Sequence, residues 1–167
     1  REITDFLQSQ SLIKDKETLF NTLMEKEAAQ TPNVIEKQII ANQPLVEKIG
    51  HKLRDMAPKV VMMIGRGSSD HAGVFGKYLI EIEAGVPVSS AAPSVASVYG
   101  KTLKLEGAVV IVISQSGRSP DILAQAKMAK EAGAYCIALV NDEASPLQDI
   151  VDDFVPLKAG DEISVAA

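Results

Sequence analysis

Two short stretches carry most of the polar chemistry in this chain: Gly65-Arg66-Gly67-Ser68-Ser69-Asp70 and Ser114-Gln115-Ser116-Gly117-Arg118-Ser119. Each follows an apolar run and precedes a helical pattern. A helix N-terminus offers unpaired backbone N–H groups and a positive dipole end to an anion. Glycine lets the backbone come close, and serine hydroxyls add donors. Ser114, Ser116 and Ser119 with the Gln115 amide make a dense donor set without a lysine. Such a cradle suits a sugar phosphate better than a triphosphate, which usually brings Lys and Mg²⁺. Helix capping is the competing explanation. Ser119-Pro120-Asp121 is a helix start in its own right, with Ser as cap, Pro at the first position and an acid in the first turn. Ser69 could serve in the same way. Capping accounts for one serine of the second stretch and leaves two serines and a glutamine over. Asp121 competes with an anion for the same positive end.

Other motifs fail on spacing. Gly65-x-Gly67 looks like part of a dinucleotide fingerprint, but Asp70 stands where the third small residue belongs, and residues 84–105 contain no acid to hold a ribose. Gly100-Lys101-Thr102 has the look of a P-loop end, but Val95 occupies the required first glycine. His71 falls just inside a helix and reads first as a surface or packing residue; His51 reads as solvated. Cys136 lies among apolar strand residues and reads as inert core. Glu162 follows the last strand, where it could approach a ligand or simply be a solvated loop carboxylate.

The elements that must position these loops follow from periodicity. Leu19, Phe20, Leu23 and Met24 recur at helical spacing until Thr31-Pro32. Val34, Ile35, Ile39 and Ile40 predict a second helix, stopped at Asn42-Gln43-Pro44, and Leu45, Val46, Ile49 and Leu53 a third. After Pro58 short apolar runs alternate with amphipathic ones. Strands are expected at Val60–Ile64, from Val86, at Ala108–Ile113, at Tyr135–Val140 and at Phe154–Leu157. Helices are expected between them, one with Val74, Phe75, Tyr78, Leu79 and Ile82 on one face and another from Pro120 to Gly133. The alternation predicts an α/β fold: a three-layer, doubly wound (flavodoxin-like) five-stranded parallel sheet with N-terminal helices. In the common 2-1-3-4-5 order both polar loops face one crevice between strands one and three. The expected division is a helical segment, residues 1–43, packing on the core or a partner, and a ligand-binding domain, residues 44–167.

Composition excludes several classes. The 167 residues carry 17 Lys+Arg against 22 Asp+Glu, a formal charge of −5. Neither the part before residue 58 nor the part after it has the positive field that nucleic-acid binding needs. A single cysteine excludes an intrachain disulfide and a Cys-rich zinc site, and two histidines offer little for a metal centre. No apolar run approaches a membrane span, and the N-terminus lacks a signal-peptide core, so a cytoplasmic protein without cofactor, metal, nucleic-acid or membrane partner is expected. The apolar faces of the first helices predict association, in the simplest case a homodimer.

Ile113-Ser114-Gln115-Ser116-Gly117-x-Ser119-x-Asp121 resembles the signature loop of the sugar isomerase (SIS) family, and Gly65-Arg66-Gly67-Ser68-Ser69 resembles its first loop. Met24-Glu25-Lys26-Glu27 with Pro32-Asn33, and Gly160-Asp161-Glu162-Ile163-x-Val165-Ala166, are similar to the entry and end of the first SIS half in glutamine–fructose-6-phosphate aminotransferases and in SIS-type glucosamine-6-phosphate deaminases. Arg66 and Arg118 depart from the aminotransferase pattern and suit the deaminases better. The resemblance implies that Ser114, Gln115, Ser116 and Ser119 bind phosphate. It implies further that Ser68 and Ser69 contact the sugar and the Val165-Ala166 backbone lines it, with Gly67, Gly117, Arg118 and Glu162 as further candidates. It also implies a metal-free reaction in which a base moves a proton between C1 and C2 of an open-chain hexosamine phosphate. The family's acid–base groups belong to a second SIS half, so these 167 residues alone are expected to bind ligand without turnover. A sugar-phosphate-sensing regulatory module and a ketose–aldose phosphate isomerase are the alternatives.

Overall fold

The computed structural model describes residues 22–163. The chain divides into two compact units, Gln38–Lys158 and a second one made of Arg1–Lys37 with Ala159–Ala167. In the second unit the Ile163 N–H donates to Glu27 Oε1 at 2.8 Å.

The larger unit is a five-stranded sheet, all parallel. Its strands are β1 (Val61–Ile64), β2 (Val88–Ser90), β3 (Val109–Ser114), β4 (Tyr135–Val140) and β5 (Asp153–Pro156), in the order β2-β1-β3-β4-β5. That is the predicted fold class and order. Helix α1 is Leu23–Met56, α2 is Ser68–Ala84, α3 is Ser94–Ser97 and α4 is Pro120–Glu131; a 3-10 turn covers Pro146–Asp149.

Side chains alternate across a strand, so each face of the sheet gathers one parity. Met62, Ile64, Val110, Val112, Cys136, Ala138 and Val140 pack with Ile122, Ala126 and Ala129 of α4 and with Leu147. Val61, Met63, Val109, Tyr135, Ile137 and Val155 form the opposite core with Ile49, Leu45 and Leu53 of α1 and Ile80 of α2. Burial on both faces explains the unbroken apolar strands.

The N-terminal helices depart from expectation. Thr31-Pro32 and Asn42-Gln43-Pro44 do not break the chain into three helices; one helix of 34 residues runs through both. An interior proline removes a backbone hydrogen bond and costs about 3 kcal/mol. Around Pro44 tertiary anchors offset this. Asn42 Nδ2 donates to the Pro156 carbonyl at 2.8 Å, Gln38 Nε2 donates to the Leu157 carbonyl, and Leu45, Ile49 and Leu53 hold the next turns on the sheet. Pro32 lies between stretches of good helix formers, Glu25–Gln30 and Glu36–Gln38, which carry the helix on.

Helix α2 is also turned from its expected orientation. Val74, Phe75, Tyr78, Leu79 and Ile82 predict a buried stripe, yet all are exposed, Phe75 by 70% and Ile82 by 74%. The face on the sheet is instead Gly73, Gly76 and Ile80. A Cβ at Gly73 would lie 3.5 Å from Met63 Cβ, and one at Gly76 would lie 3.0 Å from Met63 Cε. Small residues let the helix axis approach β1 closely, and the large apolar face is left outward. Between α1, α2 and the beginnings of β1 and β3 lies an apolar cleft of about 610 Å³, lined among others by Leu53, Val61, Ile80 and Val109, with Arg54 and Glu83 also on its wall.

The far edge of the sheet is fastened by acids. Asp152 accepts the Cys136 N–H at 2.9 Å and the Lys130 ammonium at 2.6 Å. Burial alone would raise its carboxyl, but these bonds and the nearby lysines hold it below the ordinary value. A depressed carboxyl stabilises the fold above its unfolded-state pKa, about 3.9, and that contribution is lost as pH falls through the folded value. Asp152→Asn is therefore expected to destabilise the protein by about 1–2 kcal/mol near neutral pH. The difference from wild type should shrink below about pH 4, as read by denaturant unfolding at a series of pH values.

Candidate functional site

β1 and β3 are neighbours, with Ile64 opposite Val112, and each runs directly into one of the polar loops. From β1 the chain passes through α2 to β2 on one side; from β3 it passes through α4 to β4 on the other. The strand order reverses there, and both helices begin at the carboxyl ends of the two central strands. This is where open α/β sheets bind ligands.

The first loop is built around two glycines. A Cβ at Gly65 would come within 2.9 Å of the Ser69 carbonyl group, so only glycine lets the first turn of α2 fold back against the strand end. Gly67 caps α2 with φ +55° and open space on its Cα. Ser68 and Ser69 are therefore the first two residues of the helix; Ser69 is not its cap. Ser68 is exposed and Ser69 half-buried, next to the exposed Gly67 backbone. His71 is exposed in the same first turn.

The second loop is braced from within and from behind. Ser114 Oγ accepts the Gly117 N–H at 2.9 Å, and Ser116 Oγ accepts the Arg118 N–H at 3.3 Å. Each hydroxyl keeps its own proton to donate. The Gln115 carbonyl accepts the N–H groups of Asn141 and Asp142 at 3.1 and 3.0 Å, which ties the loop to the end of β4, while the Gln115 residue is exposed. Ser145 Oγ donates to the Gly117 carbonyl at 3.0 Å and accepts from the Leu147 N–H. Arg118 donates through Nε to Asp142 at 2.8 Å and through Nη2 to the Ala144 carbonyl at 3.0 Å. The Ala144 N–H and the guanidinium hold the Asp142 carboxyl below the usual range. Arg118 thus acts as a strap on the loop.

The serines separate into roles. Ser114 is buried and shapes the turn; Ser116 and Ser119 are half-buried at the loop rim. Ser119 is the N-terminal residue of α4 and its side chain makes no capping bond, so capping does not account for its hydroxyl. Ser116, Ser119, Gln115 and the first N–H groups of α4 converge on one end of the sheet with Ser68, Ser69 and Gly67. Glu162 is an exposed residue of the other unit, and Val165 and Ala166 lie outside the described residues.

Two features escape a reading by motif. Arg66 Nη1 binds Asp121 Oδ2 at 2.8 Å, joining the first loop to the first turn of α4. The opposite charges in the two loops were the available signal. Ser145 is held against the back of Gly117, and its only local mark is the Ser-Pro start of the 3-10 turn.

Cys136 is fully buried, and burial with the nearby Asp152 pushes its thiol up to about 11, so it stays a neutral core residue at ordinary pH. Among the described residues no cluster of His, Cys, Asp or Glu could hold a metal ion. No described helix is long and apolar enough to cross a membrane.

Gly117 is the tightest point of the site. Its φ is +60°, and a Cβ there would lie 2.1 Å from Ser145 Oγ and 3.0 Å from Leu147 Cδ1. Gly117→Ala is expected to cost about 2 kcal/mol or more in thermal unfolding, through backbone strain and overpacking together.

Comparison with known proteins agrees with this geometry. The SIS domain family matches residues 57–167. The glutamine–fructose-6-phosphate aminotransferase (isomerizing) of Aquifex aeolicus is 36% identical over 148 residues, which cover 89% of this chain and 24% of that protein. Among solved structures, a Silicibacter pomeroyi DSS-3 protein provisionally described as a phosphosugar isomerase superposes with TM-score 0.83 at 39% identity, covering 87% of this chain and 44% of the other. The C-terminal domain of the Francisella tularensis glucosamine–fructose-6-phosphate aminotransferase superposes with TM-score 0.76 at 27% identity, covering 92% and 44%. The chain thus spans about a quarter of the length of the curated relatives it matches. With a doubly wound parallel sheet and a braced Ser-Gln-Ser-Gly loop at its switch point, the chain belongs to the SIS-domain family.

Proposed function

We infer that this chain binds a hexose or hexosamine 6-phosphate and serves an amino-sugar phosphate enzyme, in the first instance a glucosamine-6-phosphate deaminase. The observation that carries the reading is the pairing of two helix N-termini at one crevice, one edged by Ser68 and Ser69 and the other by Gln115, Ser116 and Ser119. The phosphate takes the α4 end, where hydroxyls, the Gln115 amide and backbone N–H groups converge. The sugar hydroxyls take the α2 end. Family membership and relatives that are aminotransferases and a provisionally described phosphosugar isomerase support the substrate class.

The chemistry implied is proton transfer. The hexosamine opens to its aldehyde; a base takes the C2 proton and returns it to C1 through an enol-type intermediate. Water then adds to the resulting imine at C2, and ammonia leaves to give fructose 6-phosphate. The cradle's serines and glutamine donate hydrogen bonds but do not carry protons at neutral pH. They hold and orient the substrate, and the acid–base groups come from outside the cradle. The related aminotransferase reaction adds nitrogen to the same ketose phosphate, and isomerisation alone would use the same site.

In this reading the exposed apolar residues of α1 and α2, Ile39, Ile40, Phe75 and Ile82 among them, are association surfaces, in the simplest case of a homodimer in the cytoplasm. A thermal shift series with glucosamine 6-phosphate, fructose 6-phosphate and arabinose 5-phosphate tests the substrate class. A hexose 6-phosphate at 100 times its Kd is expected to stabilise by about 2.7 kcal/mol, and the double variant Ser116→Ala/Ser119→Ala to weaken binding at least about tenfold. No shift with any of the three ligands would contradict the reading. Ammonia release from glucosamine 6-phosphate by the 167 residues alone is expected to be absent; clear turnover would place the proton-transfer groups within them.

A further inference from the structure

We propose that Arg66 is the cation of the sugar-phosphate site, a specificity-determining residue that Asp121 holds in place for the phosphate. The inference rests on the function inferred above. A phosphate monoester carries a charge of about −1.5 to −2 near neutral pH. The donors of the cradle are neutral, and Asp121 adds a negative charge in the first turn of α4, at the end where the anion would sit. Such a site without a cation would oppose its own ligand.

Two arginines stand in the two loops, and they are held differently. Arg118 has Nε and Nη2 both engaged, by Asp142 and the Ala144 carbonyl, and braces its loop. Arg66 meets Asp121 through Nη1 at 2.8 Å while its side chain remains 63% exposed. A guanidinium has five N–H donors in a planar fork, so one carboxylate contact leaves a second edge to present to a phosphate oxygen.

The backbone aims this side chain. The Arg66 carbonyl accepts the Ser69 N–H at 3.1 Å, and Gly65 and Gly67 on either side fix the turn. Arg66 therefore belongs to the α2 loop but delivers its charge to the α4 N-terminus. An exposed pair of this kind contributes little to stability. It does place a positive group at the seam between the two halves of the crevice. The ligand class selected is a phosphorylated sugar over its unphosphorylated counterpart.

The test is isothermal titration of the full chain with fructose 6-phosphate, with inorganic phosphate as a competing probe. Wild type, Arg66→Ala, Arg66→Lys, Asp121→Asn and the double variant Arg66→Ala/Asp121→Asn are compared. Arg66→Ala is expected to weaken both probes at least tenfold, with Arg66→Lys between it and wild type. The double variant should stay as weak as Arg66→Ala, because the lost contact is to the ligand. Thermal melting within a few degrees of wild type confirms an intact fold, and Arg66→Lys carries the test should Arg66→Ala melt early. Unchanged affinity in Arg66→Ala overturns the proposal while leaving the sugar-phosphate reading in place. Full recovery in the double variant also overturns it, since Arg66 would then only mask Asp121. Failure of wild type to bind fructose 6-phosphate overturns the sugar-phosphate reading and this proposal with it.

Discussion

Strands β1 and β3 lie side by side in register, Ile64 against Val112, and the chain leaves them toward opposite faces of the sheet. Two helices must then begin next to one another, and their dipoles and unpaired N–H groups converge on one crevice. Nothing else in the chain has to be charged for an anion to be favoured there. The sheet can impose this only because it is rigid, and it is rigid because alternate side chains are buried on both faces. Val110 and Cys136 in one core and Val109 and Tyr135 in the other leave no face free to shift.

That constraint delivers the loops to the site but does not shape them. Shape comes from short-range bonds that replace ordinary capping. Ser114 and Ser116 each take a backbone N–H of their own loop, and Ser145 packs against Gly117 from behind. Arg118 and the Gln115 carbonyl tie the loop to the end of β4. The consequence is a set of hydroxyl protons and N–H groups held in place before any ligand arrives, which is the arrangement that lowers the ordering cost of binding. The apolar cleft at the opposite end of β1 and β3 has volume but, apart from Arg54 and Glu83, little to orient a polar ligand.

Much of this was legible in the sequence, for identifiable reasons. Strands buried on both faces leave unbroken apolar runs, so all five strands and their parallel order could be read from Val61–Ile64, Val109–Ser114 and their counterparts. The two polar loops stood out because donors at helix starts have few structural uses in such numbers. Tertiary context hid the rest. Pro32 and Pro44 signal breaks locally, but Asn42, Gln38 and the sheet-facing leucines and isoleucines around Pro44 are distant partners no local pattern contains. Helix α2 misled because its apolar stripe and its glycine stripe are both periodic, and close approach to Met63 selects the smaller one. The Arg66–Asp121 bond joins residues 55 positions apart and needs the topology before it can be seen.

The central claim is that the ligand sits between the two helix N-termini at the carboxyl ends of β1 and β3. Backbone amide chemical-shift mapping of the full chain during titration with fructose 6-phosphate tests it most directly. The account predicts that the largest saturable shifts cluster at Gly67–Ser69 and at Gln115–Leu123, with little change at Leu53, Val61 and Ile80. Saturable shifts centred on the apolar cleft, with the two loops unmoved, would contradict it.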